Sequence, residues 1–195
     1  MQALSVILAS TRPSRVGPAI ADWFVEHAKS HRAFVVDLVD LAEIALPLLD
    51  ESDHPSRRRY RNQHTKNWSA IVEATDAFVF VTPEYNYGPP ATLKNAVDYL
   101  YGEWAYKPVG FVSYGMTSAG MNAVAMLRQI VTPLKMVPVM PGVAVPLRER
   151  VSAQGTVAPT VWMNDSANQM LDELDRLGEA LRPLRPTVGV LGEKV

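Results

Sequence analysis

The sequence predicts an α/β protein built on one parallel, doubly wound sheet of five strands. Three observations support this. Five short apolar segments recur along the chain. Between them lie stretches with helical periodicity, and this alternation is what a parallel sheet with helical crossovers requires. "ALSVILA" and "DAFVFV" are apolar almost without interruption, as expected of strands buried on both faces.

The first strand is Ala3–Ala9. After "STRPSR", Val16, Ile20, Trp23, Phe24 and Val25 place large apolar groups on one side of a helix. Ala33–Leu41 is the second strand. An irregular stretch follows, rich in charge and holding Pro47 and Pro55. His64–Thr75 reads as a helix with Trp68, Ile71 and Val72 inward. Asp76–Thr82 is the third strand, and Pro90–Trp104 the third helix. The fourth strand lies within Lys107–Gly115. Ser118–Leu134 is the fourth helix, with Ser118 as a candidate N-cap. Lys135–Val145 holds a fifth strand broken by prolines. Thr160–Leu184 is the last helix, with Met163, Met170, Leu171, Leu174, Leu177 and Leu181 at helical spacing. The chain reads as a single domain, 1–185, and a C-terminal tail, 186–195, that is loose or docked on a partner subunit.

Composition narrows the function. The 195 residues suffice for one domain with a full core. The net charge of −1 gives no electrostatic reason to expect nucleic acid or an anionic membrane as partner. Without cysteine, disulfides, thiolate catalysis and cysteine-ligated metals are excluded. No apolar run is long enough to span a membrane, and the N-terminus lacks the basic leader of a signal peptide, so a cytoplasmic location is expected. The four histidines have no metal-ligand spacing, and no metal is expected.

In such sheets the ligand crevice lies off the carboxyl ends of the strands. With strand order 2-1-3-4-5, the loops after strands 1, 3 and 4 lie side by side. The first, Ser10–Gly17, offers the hydroxyls of Ser10, Thr11 and Ser14 and the guanidinium groups of Arg12 and Arg15, with Val16 at the start of a helix. That set suits a phosphate; it equally suits a capped helix start with two solvated arginines. It matches neither the P-loop nor the dinucleotide fingerprint. The second, Thr82–Pro90, is stiffened by Pro83, Pro89 and Pro90. The third, Ser113–Asn122, carries Gly115, Ser118, Ala119 and Gly120, small residues that would let a flat ligand approach the backbone or simply make a turn.

Ser10-Thr11-Arg12, Pro83-Glu84-Tyr85-Asn86 with Leu93-Lys94-Asn95-Ala96-Val97-Asp98, and Ser113-Tyr114-Gly115 with Ser118-Ala119-Gly120 together resemble the NADPH-dependent FMN reductase family over nearly the whole chain. The resemblance implies a flavodoxin-like three-layer sandwich with FMN as cofactor and NADPH (or NADH) as co-substrate. It implies that Ser10, Thr11, Arg12, Ser14, Arg15 and Val16 hold the phosphate. Pro83, Glu84, Tyr85 and Asn86 would line the isoalloxazine through their backbone, and Ser113, Tyr114, Gly115, Ser118, Ala119 and Gly120 would border it from the other side. At Asn122 the chain departs from the basic residue that many relatives carry nearby.

The implied reaction is ping-pong. Hydride passes from NAD(P)H to flavin N5, then electrons pass to a small-molecule acceptor such as a quinone, an azo compound, a metal oxyanion or free flavin. No side chain is required as a catalytic acid or base, and Glu84 is expected to fix its loop by accepting hydrogen bonds. A homodimer or homotetramer is expected. The alternative is a flavodoxin-type electron carrier with no substrate of its own; the near-neutral charge and the arginines of the first loop count against it. The basic run Arg57-Arg58-Arg59-Tyr60-Arg61 reads as a solvated surface, with the NADPH 2′-phosphate or a subunit contact as the sharper alternative.

Overall fold

The structure, a computed structural model, describes residues 1–152 and 155–186. In chain order its elements are β1 (Gln2–Leu8), α1 (Gly17–His31), β2 (Phe34–Asp40), α2 (Leu41–Ile44), α3 (Gln63–Ala74), β3 (Ala77–Pro83), α4 (Ala91–Asp98), β4 (Pro108–Gly115), α5 (Met121–Val131), β5 (Val137–Pro138), β6 (Val143–Pro146), α6 (Leu147–Arg150) and α7 (Val161–Leu181). The sheet runs β2-β1-β3-β4-β5, the expected order, and is parallel throughout, as the alternation of elements implied. A small sixth strand also pairs with β4. Its origin lies in the prolines. With no N–H to donate, Pro138 and Pro141 prevent a continuous ladder. The edge is therefore split between Val137–Pro138 at the start of β4 and Val143–Pro146 at its end. Beyond Pro186, the expected tail lies outside the described residues.

Burial follows position in the sheet. β3 and β4 are buried along their whole length, whereas β2, at the edge, leaves Val35 exposed. Alternate side chains feed two cores. On one face Leu4, Val6 and Leu8 of β1 meet Ile20 and Phe24 of α1 and Met170, Leu171 and Leu174 of α7. On the other, Phe78, Phe80 and Phe111 meet Trp68 of α3, Leu93 and Val97 of α4, and Trp104. Trp104 lies edge-on to Phe78 at 5.0 Å and to Trp68 at 5.9 Å between ring centroids. Both indoles are satisfied, Trp68 donating to Ala96 O at 2.8 Å and Trp104 to Val97 O at 3.1 Å, so this aromatic core carries no unpaired N–H.

Two helix boundaries differ from the sequence expectation. The third helix ends at Asp98 rather than Trp104. The chain then makes a separate 3-10 turn, Gly102–Trp104, which lets both Glu103 and Trp104 be buried. Ser118 does not cap the fourth helix. Gly120 holds the cap position at φ 88°, with no side-chain capping bond of its own.

Most of the basic run is solvent-facing, but Arg58 is not. Its guanidinium bridges Glu73 at 2.6 Å and Glu103 at 3.3 Å, and the Glu103 side chain is 0% exposed. Tyr60 and Ser69 donate to the same carboxylate at 2.9 and 2.7 Å. Burial and the Glu103 charge push the Tyr60 hydroxyl well above its ordinary pKa. Glu73 ends α3 just before β3 begins, and Glu103 precedes β4. This cluster therefore sits at the amino end of the sheet, away from the strand-end loops. Removing one partner of a buried ion pair leaves the other charge uncompensated. Arg58→Ala should lower the unfolding free energy by about 3 kcal/mol, while Arg57→Ala, at an exposed residue, should change it by less than about 0.5 kcal/mol. Urea denaturation of both variants tests the difference.

Candidate active site

The three loops named above are joined at the carboxyl edge of the sheet. Ala9 N donates to Val81 O at 3.0 Å, and Thr92 Oγ1 of α4 donates to Ala9 O at 2.7 Å. Buried Ser10 shares a 3.1 Å hydrogen bond with the Tyr85 hydroxyl. Glu84 N donates to Tyr114 O at 3.1 Å, continuing the β3–β4 pairing into the loops. Between them lies a cleft of about 250 Å³. Ten residues expected from the sequence line it: Ser10, Arg12, Ser14, Arg15, Val16, Pro83, Glu84, Tyr85, Tyr114 and Gly115. Thr11, Asn86, Ser113, Ser118, Ala119 and Gly120 do not, while Met116 and Leu147, absent from the expected set, do. Leu147 begins α6, a segment with no local motif. Met116 follows Gly115 directly and could have been included on adjacency alone.

Helix α1 starts without a side-chain cap: Val16 stands at the N-cap position and Pro18 opens the first turn. The hydroxyls of the first loop are thus not spent on this helix, which removes the capped-helix alternative. The two arginines divide. Arg15 donates to Ser10 O at 2.5 Å and to Asp40 Oδ1 at 2.7 Å, and its second nitrogen bonds Asp40 Oδ2. That bidentate bond raises its pKa further and ties the loop to the end of β2. Asp40 was not singled out by the sequence. Arg12 is exposed and has no ion-pair partner among the described residues. Tyr114 points beneath this loop. Its hydroxyl is buried without a hydrogen-bond partner among the described residues, and burial drives its pKa up. A Cβ on Gly17 would lie 2.6 Å from that oxygen, so the helix start closes over the hydroxyl only because residue 17 is glycine.

Glu84 fixes the middle loop to the third. Its carboxylate accepts from Ser118 Oγ at 2.5 Å, from Asn122 N at 2.9 Å and Ala123 N at 3.3 Å, and from Asn122 Nδ2 at 3.1 Å. These are the free N–H groups at the start of α5, so a residue of the β3 loop caps the helix that follows β4. Ser118 and Asn122 serve as donors to this carboxylate. Burial alone would raise the Glu84 pKa, but the bonds from Ser118, Asn122 and Ala123 outweigh it and hold the carboxyl below its ordinary value. The small residues of the third loop serve close packing. A Cβ on Gly120 would meet Tyr114 N at 2.6 Å and Ser113 Cβ at 2.7 Å, and Ser113 Oγ donates to Ala119 O at 2.9 Å.

A depressed folded pKa means that the Glu84 contribution is complete above the unfolded value of about 4.3 and is lost as pH falls through the lower, folded one. Glu84→Ala leaves the first amides of α5 without their acceptor. It should reduce stability at pH 7 by about 1–3 kcal/mol. Glu84→Gln should flatten the acid limb of the stability–pH curve, as read by denaturation between pH 2 and 7.

The chain matches the family model described as NADPH-dependent FMN reductase over residues 3–149. An NAD(P)H-dependent FMN reductase of Schizosaccharomyces pombe is 41% identical over 160 residues, 80% of this chain and 78% of that protein. An FMN-dependent NADPH-azoreductase of Staphylococcus aureus is 30% identical over 142 residues, 72% of each chain. Among solved structures, FerB, a flavoenzyme NAD(P)H:(acceptor) oxidoreductase of Paracoccus denitrificans, superposes with a TM-score of 0.67 at 20% identity, covering 94% of this chain and 98% of its own. The sheet order, the open helix start beside Arg12 and these matches converge: the chain belongs to the NADPH-dependent FMN reductase family, an NAD(P)H-dependent flavin oxidoreductase with the flavodoxin-like fold.

Proposed function

We propose that the cleft holds FMN with its phosphate at the start of α1 and its ring along Pro83–Tyr85 and Tyr114–Gly115, and that it reduces a small organic acceptor such as a quinone or an azo compound. The observation that carries this is the uncapped α1 N-terminus facing Arg12 over the unpartnered Tyr114 hydroxyl. Free amides, a guanidinium and a buried O–H donor together suit a dianionic phosphate monoester. When bound, FMN supplies the redox chemistry, taking a hydride equivalent from NAD(P)H and passing electrons on.

The chain's own part is to bind and orient. Arg12 and the α1 amides hold the anion; Arg15 acts indirectly, keeping the loop against Asp40. The Glu84 carboxylate keeps the Pro83–Tyr85 backbone in one place, and a fixed set of backbone dipoles costs no reorganisation when charge develops on a ligand. No side chain lining the cleft needs to move a proton, which supports the assignment of no catalytic acid or base. The azoreductase relative supports an azo acceptor, and a quinone reductase of Pseudomonas putida, 29% identical over 60% of this chain, supports a quinone. At least a homodimer in the cytoplasm is the assembly we propose, and light scattering at micromolar concentration should give twice the chain mass or more.

The phosphate assignment is tested by comparing FMN with riboflavin, which lacks the phosphate. Loss of a charge-assisted contact of about 1.5–3 kcal/mol should weaken FMN binding to Arg12→Ala by about tenfold or more and leave riboflavin affinity as it is. Equal losses for both flavins, or none for FMN, would overturn the placement. NADPH should bleach the reconstituted protein anaerobically; binding without bleaching would return the protein to the class of electron carriers.

A further inference from the structure

The turn beyond the cleft-lining Tyr85 is a two-residue hairpin. Tyr85 N donates to Gly88 O at 2.9 Å and Gly88 N to Tyr85 O at 3.0 Å. Its central residues, Asn86 and Tyr87, have φ of 50° and 68°. A type I′ turn needs positive φ at both positions and favours Asn first and Gly second. Asn86 conforms; Tyr87 does not. A bulky L-residue in the left-handed region is strained, and such strain persists where function or surrounding structure demands it.

No contact of the Tyr87 side chain among the described residues offsets this strain. The Tyr87 side chain is 74% exposed, and it has no hydrogen-bond or ring partner among the described residues. The turn beneath it is rigid, set by the paired Tyr85–Gly88 bonds and followed by Pro89 and Pro90. Tyr85 is itself anchored to Ser10. Tyr87 is therefore an exposed aromatic group on a fixed turn, two residues along the chain from the cleft-lining Tyr85. Met116 of the third loop, 55% exposed, lines the cleft. Neither residue is charged, whereas Arg12 belongs to the end assigned to the phosphate.

We propose that Tyr87 is a specificity-determining residue for the acceptor, presenting an aromatic face to a planar, uncharged ring system such as a quinone. This rests on the placement of FMN in the cleft. No bond to Tyr87 forms or breaks; the ring contributes contact and orientation. Strain without internal compensation then has a cause, since a glycine would relax the turn and remove the platform.

The test uses Tyr87→Gly and Tyr87→Phe in the full chain. Tyr87→Gly should melt about 2–4 °C higher than the wild type without cofactor. In the FMN-loaded enzyme with NADPH, its KM for a planar quinone should rise about tenfold more than its KM for ferricyanide, which has no ring to stack. Tyr87→Phe should keep the quinone KM within about twofold, because the aromatic face remains. An unchanged quinone KM in Tyr87→Gly would overturn the proposal, as would equal changes for both acceptors. Dissociation of the oligomer with quinone kinetics intact would assign Tyr87 to a subunit contact and also overturn it. Flavin binding is measured first: a wild type that binds no FMN defeats the cofactor placement, whereas normal FMN binding with unaltered quinone KM defeats only the role of Tyr87.

Discussion

One carboxylate organises the functional edge of this molecule. Glu84 leaves β3 and reaches across to the first amides of α5, where it accepts from Asn122 and Ala123 and from the side chains of Ser118 and Asn122. A negative charge at a helix N-terminus is stabilising by about 0.3–1 kcal/mol at exposed sites and more when partly buried. The larger consequence is positional. The loops after β3 and β4 become one unit, and the N-terminus of α5 is occupied. Helix α7 is likewise capped, by Thr160, and α2 by Asp40. Helix α1 has no such cap, and its N-cap residue, Val16, lines the cleft. Under the placement proposed above, filling one of two neighbouring helix starts leaves the other for the anionic ligand.

The same economy appears in the arginines of the first loop. Their chemistry is alike, but Asp40 engages one and leaves the other. Arg15, clamped in two directions, holds shape; Arg12, exposed, keeps its donors available. The Tyr114 hydroxyl completes the arrangement from below, buried and unpaired in a structure whose aromatic core otherwise satisfies both indole N–H groups. An unsatisfied buried hydroxyl is destabilising, and under the proposed placement of the phosphate it would gain an acceptor. Gly17 permits it, since any side chain there would meet the hydroxyl.

Much of this was legible in the sequence because it is local. The alternation of apolar runs and helical periodicity led to the parallel sheet, and the order 2-1-3-4-5 taken with it brought the three loops together. The motif Pro83-Glu84-Tyr85-Asn86 marked the middle loop, and Glu84 was expected to bind rather than to catalyse. What could not be read was tertiary. Asp40 lies 25 positions from Arg15, Asn122 lies 38 from Glu84, and Leu147 enters the cleft from the far side of β6. Each is an ordinary residue until the fold supplies its partner. The same holds for Arg58, which looked like one member of a solvated run and proved to be the counter-ion of a buried glutamate. Ser118 shows the opposite error: a good N-cap residue by type, it was displaced by Gly120, where φ is 88° and a Cβ would collide with Tyr114 N of β4.

The central claim is that the filled α5 start and the open α1 start together fix where the cofactor's phosphate sits. A crystal structure of the protein grown with FMN tests it most directly. The account predicts the phosphate on the first amides of α1, within hydrogen-bond reach of Arg12, with Glu84 still on Asn122 and Ala123. A phosphate at the start of α5 with Glu84 swung away would contradict it.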